Sequence, residues 1–365
     1  MKIIADINMP RLDETFGHHG SIERFDGRSI QHSDLINADV LLVRSVTRVG
    51  ADLLRGTKVR FVGSATIGID HLDTGWLEAN NIAWAHAPGC NANAAAQYTL
   101  AMMWLACERL QKDFQQQTVG IIGRGNVGRR LEHLLKALDI PVMACDPPLQ
   151  DQGAQALVSM REACANSIIS LHVPLTQTGP YPTRDLFGQD LLAALKPGTL
   201  LVNASRGGVI EGSSLLTQLQ TGHIKAALDV WPDEPFIAPG LLKLVTVASP
   251  HIAGYSVEGK HAGTEMIYQV FLSSFATEPM AHTPSNGNTV TVDCHPSTPA
   301  DELLQQLIHS SCPVVRDDAA LRASPEQFDR LRSSYPERHE FKSHLVKGVD
   351  RKNAVLLREM GFKTG

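Results

Sequence analysis

The sequence predicts an α/β protein built around a doubly wound parallel sheet. Three observations carry that class. Six short apolar runs alternate with helical stretches between residues 118 and 248, a smaller alternation of the same kind fills the first 90 residues, and a glycine-rich turn joins the first central run to the helix after it. Strands that are apolar nearly throughout, and not only at every second residue, are covered on both faces, as the crossover helices of a parallel sheet cover it.

In chain order, KIIAD (2–6), DVLLVRS (39–45), KVRFVGSA (58–65) and NIAWAHA (81–87) read as buried strands of a first domain. After PGCN, the Ala-rich stretch 91–110 reads as a helix that carries the chain into a second domain. There TVGII (118–122), IPVMAC (140–145), SIISLHV (167–173), TLLVN (199–203), KAALDV (225–230) and LVTVA (244–248) complete six strands. Residues 127–138, with Leu131, Leu134, Leu135 and Leu138 on one face, and residues 212–219 read as helices between them. The helical spacing of Met266, Ile267, Val270 and Phe271 in 257–275 suggests a helix that returns to the first domain. Residues 278–289, rich in Pro, Asn, Ser and Thr, read as a linker. Beyond it the charge density rises, to 22 charged residues in the last 80 against 49 in the first 285, with 11 of each sign. Strand-like 288–293 and 343–350 and helical 299–310 and 351–360 make this a small, solvated α+β domain. The expected division is therefore 1–95 with 256–280, then 96–255, then 286–365.

A length of 365 residues suits two or three domains. The net charge of −5 gives no global attraction to nucleic acid or to an anionic membrane. Six cysteines without a CxxC pair read as thiols in a reducing compartment. The opening MKIIADINMP breaks its apolar run at Asp6, and the longest apolar stretch, 99–107, is about half of a membrane span. A soluble, cytoplasmic protein is the expectation. The paired His18 and His19 have no carboxylate or thiol at ligand spacing, so no metal site is expected.

TVGII runs directly into Gly123-Arg124-Gly125-Asn126-Val127-Gly128. In a strand-turn-helix context the first glycine permits the tight turn, the second lets backbone approach a pyrophosphate, and the third allows close packing of helix on strand. The helix N-terminus adds attraction for the phosphates. Asp146 ends the next strand, 23 residues after Gly123, where a carboxylate bonds a ribose 2′-hydroxyl and repels a 2′-phosphate. These features define a Rossmann domain that prefers NAD to NADP.

Three further residues follow successive central strands: Arg206 after TLLVN, Glu234 after KAALDV and His251 after LVTVA. Ligands of α/β sheets bind beyond the carboxyl ends of the strands. Oxidation of a secondary alcohol needs a base for the hydroxyl proton, a role for His251, and a partner that orients the imidazole and stabilises its charged form, a role for Glu234. Arg206 can pair bidentately with a substrate carboxylate.

The motifs GRGNVG, NASRGGVI, LDVWPDEP and SPHIAGYS together resemble the D-isomer-specific 2-hydroxyacid dehydrogenase family. A whole-chain likeness to one branch of it rests on MKIIADINMP, LLVRSVTRV, FVGSATIGIDHLD, PGCNANAAAQY, CDPP, HIAGYSVEGK, VVRDDAALR and FDRLRSSYPER. That resemblance implies a flavodoxin-like substrate domain, oxidation of a phosphorylated sugar acid by NAD, and a homodimer formed through the C-terminal domain. It assigns Arg206, Glu234 and His251 to catalysis. It assigns Asn126, Val127, Asp146, Val173, Asp229 and Gly254 to NAD, beside Gly123, Gly125 and Gly128 of the turn, and Ser45, Thr66 and Tyr255 to the substrate. This chain departs from the branch in having Val173 where Thr is common, and NASRG in place of NACRG. Another 2-hydroxyacid dehydrogenase, such as a phosphoglycerate dehydrogenase, and an NAD-responsive corepressor-like binding protein stay open as alternatives.

Overall fold

The computed structural model describes residues 1–275, 289–295 and 298–365. The expected linker, apart from Thr289, and the domain limits at 280 and 286 lie outside the described residues. By contact the chain divides into two compact units, Met1–Asn91 with the chain from Ser256, and Ala92–Tyr255 with the C-terminal stretch.

The first unit holds β1 (Lys2–Asp6), β2 (Ser21–Phe25), β3 (Val40–Val43), β4 (Phe61–Ser64) and β5 (Ala83–His86). They pair in parallel in the order β2-β1-β3-β4-β5, the flavodoxin-like order. Strands β3 and β4 are buried at every residue, the pattern that made them visible in the sequence. Strand β2, SIERF, is an addition to the expected set: it lies at the sheet edge with Ser21, Glu23 and Arg24 exposed, and charged side chains there discourage pairing with another chain. The helix Val257–Phe275 buries Ile267, Tyr268, Phe271 and Leu272 in one cluster with Ile3, Ala5, Val40 and Phe61, so it packs on this sheet. Edge-on contacts of Phe16 with Tyr268 and Phe271, at 5.1 and 5.2 Å between centroids, complete that layer.

The second unit is organised by β6 (Val119–Ile122), β7 (Val142–Cys145), β8 (Ile168–Leu171), β9 (Leu200–Asn203), β10 (Lys225–Leu228) and β11 (Val247–Ala248). All are parallel, in the order β11-β10-β9-β8-β6-β7. The order reverses between β6 and β8, which opens a crevice beyond their carboxyl ends. Strand β11 is shorter than the run 244–248 because Pro239 starts a helix, Pro239–Leu244, that uses Leu244 as its last residue. The helix Ala92–Arg109 is buried along nearly its whole length and packs against Asn126–Ala137.

The C-terminal stretch adds a parallel three-stranded sheet of β12 (Val290–Asp293), β13 (His344–Lys347) and β14 (Lys363–Thr364), with helices Ala300–Ser311, Val314–Ala323 and Arg351–Glu359. Expected as a domain of its own, it shares a compact unit with the six-stranded sheet. Leu303, Leu307, Phe341 and Phe362 join the same core as Met102 and Leu105 of the long helix. Helix Val314–Ala323 went unanticipated because two of its buried residues, Asp317 and Asp318, are charged and interrupt the apolar period. Both are paired: Asp317 accepts from Tyr98 Oη at 2.9 Å, and Asp318 accepts from Arg109, Arg322 and the Ala248 N–H, the last at 2.7 Å. Among the described residues, no helix is long and apolar enough to cross a membrane.

Candidate active site

The glycine turn after β6 serves three separate steric demands. Gly123 sits at φ +92°, and a Cβ there would lie 2.7 Å from the His172 carbonyl oxygen and 2.9 Å from Val173 Cγ1. A Cβ on Gly128 would run into the Gly123 carbonyl, so only glycine lets the helix Asn126–Ala137 come this close to the turn. Around Gly125 there is open space instead: a Cβ there meets nothing within 4 Å. This is the position at which the motif brings backbone to a pyrophosphate. The helix beginning at Asn126 has no side-chain cap, so the N–H groups of its first turn are available to an anion. Asp146, at the end of β7, accepts from Arg124 N at 2.7 Å and from Leu149 N at 3.1 Å. It thereby braces the glycine turn and caps the DPP turn with one carboxylate. Arg124 itself pairs bidentately with Glu132, at 2.6 and 3.2 Å.

The ends of β9, β10 and β11 are bound into one assembly. His251 Nδ1 donates to Glu234 Oε2 at 2.7 Å, and Glu234 Oε1 accepts from Trp231 N at 2.8 Å. Burial pushes the Glu234 carboxyl up, but the charge and hydrogen bond of His251, with the Trp231 N–H, outweigh it and hold the group below the ordinary carboxylate range. Trp231, almost wholly buried, donates Nε1–H to the Ser249 carbonyl at 3.0 Å. Gly207 lies so close to the Trp231 carbonyl that any Cβ would collide with it, which fixes the segment carrying Arg206 beside the segment carrying Glu234. Asn203 uses both ends of its buried amide on that turn: Oδ1 accepts from Ser205 N at 3.0 Å and Ser205 Oγ at 2.8 Å, and Nδ2 donates to the Arg206 carbonyl at 2.9 Å.

Asp229 is 1% exposed, and its carboxylate accepts from Ser249 Oγ at 2.6 Å, Ile252 N at 2.9 Å and Ala253 N at 3.0 Å. It therefore shapes the loop that presents His251, which adopts φ +55°. Gly254 and Tyr255 follow on the same loop, Tyr255 with its ring edge-on to Tyr335 at 6.0 Å. Val173 flanks the first glycine. Two residues assigned to the substrate stand in the first unit. Ser45 is exposed in the turn after β3, beside Arg44, which pairs with the buried Asp6 at 3.0 Å. Thr66 is half-buried after β4, its Oγ1 donating to the Gly68 carbonyl at 3.1 Å and 2.8 Å from Ser64 Oγ. His19, of the metal-like pair, has its Nε2 3.1 Å from the Tyr268 hydroxyl. Among the described residues, no three His, Cys, Asp or Glu gather in a metal-binding group. Asn203, Trp231 and Ser249 escaped the sequence reading because each acts on backbone groups or on a buried side chain, a role with no spacing signature.

Comparison with known proteins places the chain in a family. The family described as "D-isomer specific 2-hydroxyacid dehydrogenase, NAD binding domain" matches residues 86–253, and a domain of unknown function matches residues 286–361. An erythronate-4-phosphate dehydrogenase of Marinobacter nauticus is 44% identical over 100% of this chain and 99% of its own. One of Edwardsiella ictaluri is 42% identical over 99% of each. Among solved structures, the NAD+-bound 3-phosphoglycerate dehydrogenase of Entamoeba histolytica shares the fold at a TM-score of 0.65 and 21% identity, over 78% of this chain and 99% of its own. The chain belongs to the erythronate-4-phosphate dehydrogenase family of the D-isomer-specific 2-hydroxyacid dehydrogenases.

Proposed function

We infer that the protein oxidises the C2 hydroxyl of 4-phospho-D-erythronate with NAD, giving (R)-3-hydroxy-2-oxo-4-phosphooxybutanoate on the route to pyridoxal 5′-phosphate. The observation that carries the chemistry is the 2.7 Å bond from His251 Nδ1 to Glu234. With Nδ1 donating, the lone pair is on Nε2, the atom that takes the hydroxyl proton. Glu234 then faces a charged imidazole, and its ionised carboxylate stabilises that charge as it forms. Arg206, with its backbone held by Asn203 and its Nη1 donating to the Ser205 carbonyl at 2.8 Å, is the partner for the substrate carboxylate. The nicotinamide, when bound, accepts the hydride from C2. Open space at Gly125, the uncapped helix N-terminus at Asn126 and the acid Asp146 fit a dinucleotide without a 2′-phosphate. Val127, Val173, Asp229 and Gly254 complete the assigned cofactor set, and Ser45, Thr66 and Tyr255 the substrate set. The first unit serves as substrate domain, residues 286–365 form a homodimer, and the protein works in the cytoplasm.

The test is direct. Purified protein is given 4-phosphoerythronate, 3-phosphoglycerate or D-lactate with NAD and a 2-oxo acid as reoxidant, and turnover is followed by absorbance and product analysis. Turnover with 4-phosphoerythronate well above the other two is expected. A preference for 3-phosphoglycerate, or no turnover at all, overturns the assignment.

A further inference from the structure

The loop that carries His251 is held on both polar sides by buried charges from distant parts of the chain. On the N–H side, His251 N donates to the Asp229 carbonyl at 2.7 Å, and the next two amides donate to the Asp229 carboxylate. On the carbonyl side the partner is Arg338, which is 5% exposed. Its Nε donates to Tyr255 O at 2.7 Å and its Nη2 to Ala253 O at 2.5 Å and Ile252 O at 3.5 Å. Its Nη1 reaches Ala94 O and Cys312 Sγ, both at 3.4 Å. A guanidinium has five N–H donors in a fixed fork, and three of these five contacts go to the four residues after His251. The fork is seated by the Tyr98 ring, 4.9 Å from its carbon. Tyr98 and Tyr335 both donate to Asp317, and the neighbouring Asp318 holds the Ala248 amide at the start of the same loop.

A non-glycine residue at φ +55° is strained, so the conformation of His251 persists only where its surroundings impose it. We propose that Arg338 is a positioning residue for His251, so that the C-terminal segment helps to build the site of proton transfer in its own chain. Asp229 fixes the donors of the loop, Arg338 fixes its acceptors, and the imidazole is left one orientation, toward Glu234. The proposal rests on the reading of His251 as the proton-transferring residue. Arg is required over Lys because one ammonium cannot meet three carbonyls at the angles of a planar fork.

The test compares full-length Arg338→Lys and Arg338→Gln with Tyr335→Phe, which loses a 2.7 Å bond to Asp317 but touches none of the loop carbonyls. Arg338→Lys should fold and lose at least tenfold in kcat for oxidation, with the KM for NAD within twofold. Its peptide 249–256 should exchange amide hydrogens at least tenfold faster, with peptide 119–128 unchanged. Tyr335→Phe should melt at lower temperature with kcat within twofold of the parent. Wild-type kcat and exchange in a folded Arg338 variant overturn the proposal, as does an equal loss of kcat in Tyr335→Phe. An Arg338→Lys protein that cannot fold also counts against it, since a positioning role leaves the fold intact. Full turnover in His251→Asn would instead sink the reading of His251, and the exchange data would still report whether Arg338 holds the loop.

Discussion

Glu234→Gln isolates the contribution of one charge at nearly constant shape. In the parent, one carboxylate oxygen accepts from His251 Nδ1 at 2.7 Å and the other from Trp231 N at 2.8 Å. Glutamine has only one acceptor oxygen to serve both. If that oxygen stays on the Trp231 amide, the NH2 group faces Nδ1 and forces the ring proton onto Nε2, the atom proposed to accept the substrate proton. If it turns to His251, the Trp231 amide is unpaired inside the protein. The charge lost is opposite an imidazolium that exists only after proton transfer, so the effect belongs to kcat. A pair about 4 Å apart at an effective dielectric near 20 is worth about 4 kcal/mol, which sets the ceiling. Both side chains are partly wet, with 30% exposure for His251 and 22% for Glu234, and a hydrogen bond to a charged group is then worth about 2 to 3 kcal/mol. At 1.36 kcal/mol per factor of ten, kcat falls by about 30- to 150-fold.

The assay is NADH formation from saturating 4-phosphoerythronate, beside the KM for NAD. A kcat within threefold of the parent would refute the role of Glu234.

Gly125→Ala and Gly128→Ala separate cofactor contact from packing in one motif. The first adds a methyl where nothing lies within 4 Å, so the melting temperature should hold while the KM for NAD rises at least tenfold; the second drives a methyl into the Gly123 carbonyl and should cost several degrees of stability in calorimetry. Asp146→Ala removes the acid expected at the ribose and should narrow the NAD-over-NADP ratio of kcat/KM at least tenfold, with some loss of stability because Arg124 N and Leu149 N lose their acceptor. Burial pushes the His172 imidazole down to about 4, while its unfolded value is near 6.5. Between those limits the unfolded chain binds a proton that the folded chain does not, so stability falls as pH drops from about 6.5 to about 4, by up to about 3 kcal/mol. Urea unfolding at a series of pH values should show that loss in the parent and a flatter curve in His172→Gln.

What was legible in the sequence follows from how each residue acts. Strands buried on both faces stand out because nearly every residue in them is apolar, whereas β2 at an exposed edge carries Glu23 and Arg24 and looks like loop. Arg206, Glu234 and His251 stand out as candidates for a related reason: a charge or imidazole directly after an apolar strand lies where the fold places its ligands, and the residue type itself suggests the chemistry. Their supports have neither advantage. Asn203 reads as the last residue of β9, yet its amide holds the turn before Arg206 by three hydrogen bonds. Arg338 is separated from the Ile252 carbonyl by 86 positions and sits in a charge-rich segment where one more arginine is unremarked. Aspartates 317 and 318 hid a helix by being buried. In each case the side chain is spent on backbone or on a buried partner brought near only by folding. The chemistry of such a group is common to any Asn, Arg or Asp, and its role is defined by what the fold sets opposite it. Chemistry-bearing groups are therefore readable from position along the chain, whereas positioning groups become readable only through geometry, and the Arg338 variants probe a contact of that second kind.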